Sequence, residues 1–87
     1  MFNKDVIETV VRMYEEGNLP SEILREVVRL YPQASVVDLM ELMCEAFSLP
    51  HTAVQCIGGW WHDGISELSD VQLDSFLVAE IVKASQG

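Results

Sequence analysis

The sequence is poor in positive charge. Five lysine and arginine residues stand against fourteen aspartate and glutamate residues, which gives a formal net charge of −9. Nucleic acids and anionic membrane surfaces are themselves negatively charged, so a chain of this composition is unsuited to binding either of them. No lysine or arginine occurs from residue 30 to residue 82. The charge balance therefore favours a basic protein as the partner.

Cysteines, long apolar runs and enzyme motifs are also scarce. We expect the two cysteines, Cys44 and Cys56, to be reduced core residues, because both lie in apolar helical contexts. No apolar run reaches the roughly 18 residues that span a bilayer, and the first residues lack a signal-peptide pattern, so a cytoplasmic location is expected. The absence of a phosphate loop, a nucleophile elbow and zinc-ligand spacing predicts a protein that is not an enzyme and has no metal or cofactor.

Helical periodicity runs through most of the 87 residues, and apolar residues make up 49% of them. That content supports one domain, residues 1–87, with a core of its own. Helices are predicted over 4–16, from Pro20 to just before Pro32, and over 36–47, 50–57 and 70–84. The expected fold is all-α, a compact single-domain bundle of four to five short helices.

The central element of this bundle is the predicted helix over residues 36–47. Its polar residues Asp38, Glu41 and Glu45 share a stripe about 60° wide on a helix that is otherwise apolar. Such a helix must be covered by others, with only the acidic stripe exposed. The residues predicted to be almost fully buried are Leu39, Leu42, Met43, Ala46 and Phe47.

Several short signals predict where helices begin and end. Asn3 is a candidate N-cap, and capping boxes are predicted at Ser35 with Asp38 and at Ser69 with Gln72. The pair Gly58–Gly59 is expected to end the fourth helix and open a non-helical segment through residue 64. Leu30 and Tyr31 of the predicted second helix are expected to face inward. Phe76 is expected to belong to the main apolar stripe of the last helix.

Both tryptophans, Trp60 and Trp61, lie in this glycine-flanked segment. Neighbouring residues of an extended segment point to opposite sides, so we expect at least one to be a core residue and the other to be a candidate interface anchor. Acidic residues follow closely, and an exposed aromatic ring beside carboxylates suits arginine or lysine. The candidate partner-binding residues are Asp38, Glu41, Glu45, Trp60, Trp61, Asp63, Glu67, Asp70 and Asp74.

The acidic residues also have a simpler interpretation. They can form a solvated face, with Asp38 and Asp70 favoured at helix N-termini by the helix dipole. Because no lysine or arginine accompanies the acids of residues 30–82, their unneutralised charge instead favours a docking surface for a cationic protein.

In size, acidity and helical layout, the chain resembles the small acidic helical immunity proteins that bacteria keep against their own toxins. The resemblance involves no shared motif, so no site residue follows from it. It implies tight one-to-one binding of a nuclease toxin or another basic effector, in which acidic residues cover a cationic site. The alternative hypothesis is a helical structural or regulatory module that self-associates or serves as an adaptor subunit. In that case Val71, Val78 and Val82 of the last helix would form the contact between copies.

Overall fold

The computed structural model describes residues 2–60 and 68–86, and its secondary structure there is α-helical. The all-α prediction is therefore confirmed. None of the described helices is long and apolar enough to cross a bilayer. The helices are α1 (Lys4–Glu15), α2 (Pro20–Leu30), α3 (Val36–Phe47), α4 (His51–Val54), α5 (Cys56–Trp60) and α6 (Asp70–Gln86).

The core lies where α3 meets α1, α4 and α5, and where α6 packs against α2, α4 and α5. Leu39, Leu42 and Met43 of α3 are fully buried, as predicted for the central helix. Ala46 and Phe47 are only half-buried, so their predicted burial was overstated. Phe47 lies at the edge of the core, where its ring packs edge to face against the ring of Tyr14, with the two ring centroids 5.2 Å apart.

The predicted helix caps are present. The Asn3 side chain accepts a hydrogen bond from the backbone N–H of Val6 at 3.1 Å. Reciprocal capping boxes join Ser35 to Asp38 and Ser69 to Gln72. The start of α2 differs, because the residue before its first turn is a leucine and offers no polar side chain as a cap.

The prediction that Gly58–Gly59 ends a helix was wrong. Both glycines lie inside α5, and a single predicted helix over 50–57 is replaced by the two short helices α4 and α5. The reason is tertiary: continuing the helix buries Ile57 and Trp60, and this burial outweighs the low helix propensity of glycine. Trp61 and the remainder of the predicted loop lie outside the described residues.

Three apolar side chains that were predicted to face inward are exposed: Leu30, Tyr31 and Phe76. Helix α6 runs antiparallel to α2 and begins beside Arg25, so the last turn of α2 extends beyond the start of α6. Helix α6 therefore does not cover Leu30 and Tyr31. The open side of α3 is likewise not purely acidic, because Val37 is 55% exposed.

Candidate partner-binding site

Asp74 of α6 is not a surface residue. It is 8% exposed, and its two carboxylate oxygens accept hydrogen bonds from the backbone N–H of Ser21 at 2.7 Å and from the Ser21 hydroxyl at 2.9 Å. Ser21 lies in the first turn of α2, where backbone N–H groups have no partner within the helix. Asp74 thus supplies the N-terminal cap that the sequence around Leu19 does not, and it joins α6 to α2.

Asp70 is engaged one turn earlier on the same helix. Its carboxylate accepts hydrogen bonds from the Arg25 guanidinium at 2.8 Å and from the indole N–H of Trp60 at 2.7 Å. The Arg25 guanidinium also lies 5.2 Å from the centre of the Trp60 ring. Hydrogen bonds from Arg25 and Trp60 lower the pKa of Asp70, despite an opposing effect of burial.

Trp60 itself is 1% exposed, so it is a core residue. The expectation that at least one tryptophan packs inside is confirmed. Of the predicted partner-binding residues in this region, Trp60 and Asp74 are buried and do not lie on a free surface. Asp70 is 46% exposed at its side chain and is paired with Arg25. The other residues predicted in this region, Trp61, Asp63 and Glu67, lie outside the described residues.

The acidic residues of α3 are arranged differently. Glu41 and Glu45 are exposed, and they line one shallow groove together with Asp38, Leu42 and Phe2. The groove has a volume of about 30 Å³, which is room for about one water molecule. A groove of this volume is much smaller than the pockets that enclose drug-sized ligands. Asp38 is half-buried, and one of its carboxylate oxygens accepts a hydrogen bond from the Ser35 backbone N–H at 2.9 Å.

Glu41 and Glu45 have no cationic partner among the described residues. The ion pairs there join Arg25 to Asp70 and Arg29 to Glu26. The negative charge of Glu41 and Glu45 acts on a neighbour in the same helix, Cys44. Burial first, and then these two carboxylates, raise the pKa of the Cys44 thiol. Both Cys44 and Cys56 are free thiols, as predicted.

Reading the sequence identified the acidic residues but missed their partners. Ser21 is 53 residues from Asp74, and Arg25 is 45 residues from Asp70. Arg25 is an exposed residue of α2, and no local sequence pattern connects it with Trp60. The one available signal was the missing polar cap before Pro20, which requires a partner from elsewhere in the chain.

No protein-family model, curated protein or solved structure matches this chain. The site must therefore be interpreted from its own geometry. In class, the chain is a small all-α protein. Within residues 2–60 and 68–86, Glu41 and Glu45 are exposed on α3 without an ion-pair partner, whereas Asp70 and Asp74 of α6 are bonded to other helices.

Proposed function

We propose that this chain is a small cytoplasmic protein that binds and neutralises a basic protein partner. The proposed class of this chain is an inhibitor or immunity protein, whose target is a nuclease toxin or another cationic effector. The observation that carries the proposal is the pair Glu41 and Glu45. They are exposed one turn apart on α3, and the chain's described cations leave them unpaired.

Electrostatics supports this interpretation. Two like charges one turn apart on a helix repel each other and cost a few tenths of a kcal/mol. A cationic partner removes that repulsion on binding. Because the chain carries a net charge of −9, it also attracts a basic protein over a distance and accelerates their encounter. Neither role requires a catalytic group, and we propose that the chain is not an enzyme.

The proposal is tested with a fluorescein-labelled oligoarginine peptide and fluorescence polarisation at low salt. Glu41→Lys together with Glu45→Lys should weaken binding by about tenfold or more. The matched control is Glu15→Lys together with Glu16→Lys, which changes the net charge equally at the far end of α1 from Phe2. It should weaken binding by less than about threefold, because only long-range attraction is reduced. Equal losses in both double variants would contradict a localised site.

The outer face of α6 supports a second function, which is self-association. Val71 is 78% exposed, and Val71, Ser75, Val78 and Val82 follow each other at spacings of four, three and four residues. This is the spacing of a coiled-coil seam. Lys83 is the single charged residue among the exposed positions of α6. Two copies of a strongly negative chain repel each other least across a face that has no exposed acidic residue. We therefore propose a second copy of the chain as the occupant of this face.

Light scattering on a gel-filtration column tests this second function. A dimer should elute at twice the 9.8 kDa mass of the monomer. Val82→Asp should restore the monomer, because it places two like charges in the contact. Val37→Asp, at another exposed valine on α3, should leave the dimer intact. A monomer for the unaltered chain at about 100 μM would exclude a dimer of useful strength.

A further inference from the structure

An exposed apolar cluster lies where α2 passes into α3. Seven large apolar side chains are exposed in the described residues, and three of them fall within residues 30–37. They are Leu30 at 54%, Tyr31 at 40% and Val37 at 55%. Exposed apolar side chains scattered singly need no explanation, but several grouped within one short stretch of the chain are a mark of an interaction surface. We call these three residues the apolar cluster.

Two depressions lie at the Leu30 and Tyr31 end of this cluster, and Val37 lines neither of them. Leu30 and Tyr31 line both of them. The larger, about 280 Å³, lies between α1 and α2, with Val6, Val27 and the carboxylate of Asp5 also in its wall. The smaller, about 240 Å³, continues along Pro32, Gln33 and Ala34. Ligand pockets for drug-sized molecules start at about 300 Å³, so each depression suits one large side chain of a protein partner.

The apolar cluster adjoins the acidic groove of α3. The ring of Phe2 meets the ring of Tyr31 edge to face, with centroids 5.5 Å apart and an interplanar angle of 84°. Phe2 also lines the groove that holds Glu41 and Glu45. The aromatic pair is therefore the common wall between an apolar surface and an acidic one. An apolar centre with a charged rim is the usual anatomy of a protein interface.

We infer that the partner segment bound here is amphipathic and basic, with large apolar side chains on one side and lysine or arginine on the other. This inference rests on the proposed function, because Glu41 and Glu45 are its cation-binding half. The apolar side chains would enter the depressions at Leu30 and Tyr31. The cations would reach Glu41 and Glu45 across Phe2, and Asp5 at the rim of the larger depression. Lys4, exposed in the first turn of α1, would oppose a cation placed beside it.

Charge complementarity selects this occupant over a second copy of the chain. A second copy would bring its own Glu41 and Glu45 to the same place and would be repelled. A purely basic segment would leave Leu30 and Val37 in water, and its binding would disappear with screening of the charges. An amphipathic segment covers both halves, so part of its affinity should persist at high salt.

The test compares two labelled peptides of identical composition. One is a leucine–lysine peptide whose leucines repeat at helical spacing, and the other is a scrambled sequence without an apolar face. By fluorescence polarisation, the unaltered chain should bind the amphipathic peptide about tenfold more tightly than the scrambled one. The preference for the amphipathic peptide should persist when the salt is raised from about 0.02 M to about 0.5 M. At the higher concentration Coulombic attraction is largely screened.

Variants locate the preference on the chain. Leu30→Ser together with Val37→Ser should abolish the preference while leaving binding of the scrambled peptide unchanged. Both side chains are more than half exposed, so the variant should remain folded, which a circular-dichroism melt checks. Val71→Ser is the matched control on α6 and should keep the preference. Glu41→Lys together with Glu45→Lys should weaken the binding of both peptides at low salt without removing the preference for the amphipathic one.

The outcomes separate this inference from the proposed function. Equal affinity for the two peptides, or a preference that survives Leu30→Ser with Val37→Ser, overturns the inference and leaves the proposed function standing. A preference lost in Val71→Ser instead also overturns it, because the contact then lies on α6. If Glu41→Lys with Glu45→Lys leaves the binding of both peptides unchanged, the proposed function is overturned, and this inference with it.

Discussion

The acidic residues of α3 and α6 occupy similar positions in the sequence but different surroundings in the folded chain. Each helix begins at a serine capping box and carries one acid in its first turn and another in its second, and α3 adds Glu45 in its third turn. On α6, Asp70 and Asp74 are bonded to Arg25, Trp60 and Ser21. On α3, Glu41 and Glu45 lie exposed and unpaired within the described residues. What separates the two sets is the element packed against them. Helix α2 brings the Arg25 guanidinium and the first-turn N–H of Ser21 to α6, whereas no cation pairs with the α3 glutamates in the part of the chain that the structure describes.

This difference means that acidity alone does not identify a binding surface. An aspartate whose charge is satisfied inside the chain contributes to folding, and its replacement lowers the free energy of unfolding. A glutamate left free in solvent contributes little to folding, and its charge remains available to a partner. The predictions below test that division, beginning with the core beneath the α3 acids.

The largest effect is expected at Leu42, which is fully buried and also lines the groove of Glu41 and Glu45. Leu42→Ala should lower the free energy of unfolding by about 2–5 kcal/mol, through lost burial and the cavity left behind. Urea denaturation measures this, with Val37→Ala as the control on the exposed side of α3. A Leu42→Ala variant with near-normal stability would show that α3 is not the centre of the core.

The next largest effect is expected at Asp74. Asp74→Ala removes the acceptor for both Ser21 donors and leaves the backbone N–H without a partner in a buried place. The expected loss is about 2–3 kcal/mol. In a double-mutant cycle with Ser21→Ala, the two losses should not add, because both remove the same hydroxyl contact. Additive losses would mean that Asp74 and Ser21 stabilise the fold independently of each other.

Asp70 should make stability depend on pH. Its pKa is lowered in the fold, so the ionised carboxylate stabilises the native state above the unfolded pKa of about 3.9. That contribution is lost as the pH falls through the lower, folded pKa. Asp70→Asn should therefore be less stable than the unaltered chain near pH 7, and the difference should shrink toward pH 3, as urea denaturation at both pH values measures. In an Arg25→Gln background the difference should be smaller at every pH, and an unchanged difference would contradict the assigned cause.

The smallest effect is expected at Cys44, which reports the negative charge of the α3 acids. Burial and the charges of Glu41 and Glu45 raise the pKa of its thiol. Replacing both glutamates by glutamine should lower that pKa and speed alkylation by iodoacetamide about two- to threefold near neutral pH. The reaction is followed by mass spectrometry in a Cys56→Ser background. The control is Glu15→Gln together with Glu16→Gln. An equal acceleration of Cys44 alkylation in that variant would show that the effect is not local.

The fold was largely predictable from the sequence because its signals are local. Periodicity and caps at Asn3, Ser35 and Ser69 act within one or two helical turns, and the structure contains all of these features. The error at Gly58–Gly59 arose because the burial of Trp60 is a tertiary effect. The exposure of Leu30 depends on where α6 begins relative to α2, and helical periodicity carries no information about that.

The candidate site was only partly predictable. Placing Asp38, Glu41 and Glu45 on one side of a helix follows from helix geometry, and the three do line one groove. Whether an acid is free depends on pairings across tens of residues, as at Asp74 and Ser21, and one sequence does not contain that information. The proximity of Phe2 to both Tyr31 and the acidic groove likewise comes from packing at the start of α1.

The division between the two acidic sets is tested most directly by urea denaturation of two matched double variants. Asp70→Ala with Asp74→Ala should lower the unfolding midpoint strongly, because α2 loses its cap and its ion pair. Glu41→Ala with Glu45→Ala should leave the midpoint unchanged or raise it slightly, since like-charge repulsion on α3 is relieved. A midpoint lowered equally in both variants would show that the α3 glutamates also hold the fold, and it would contradict their assignment as free binding groups.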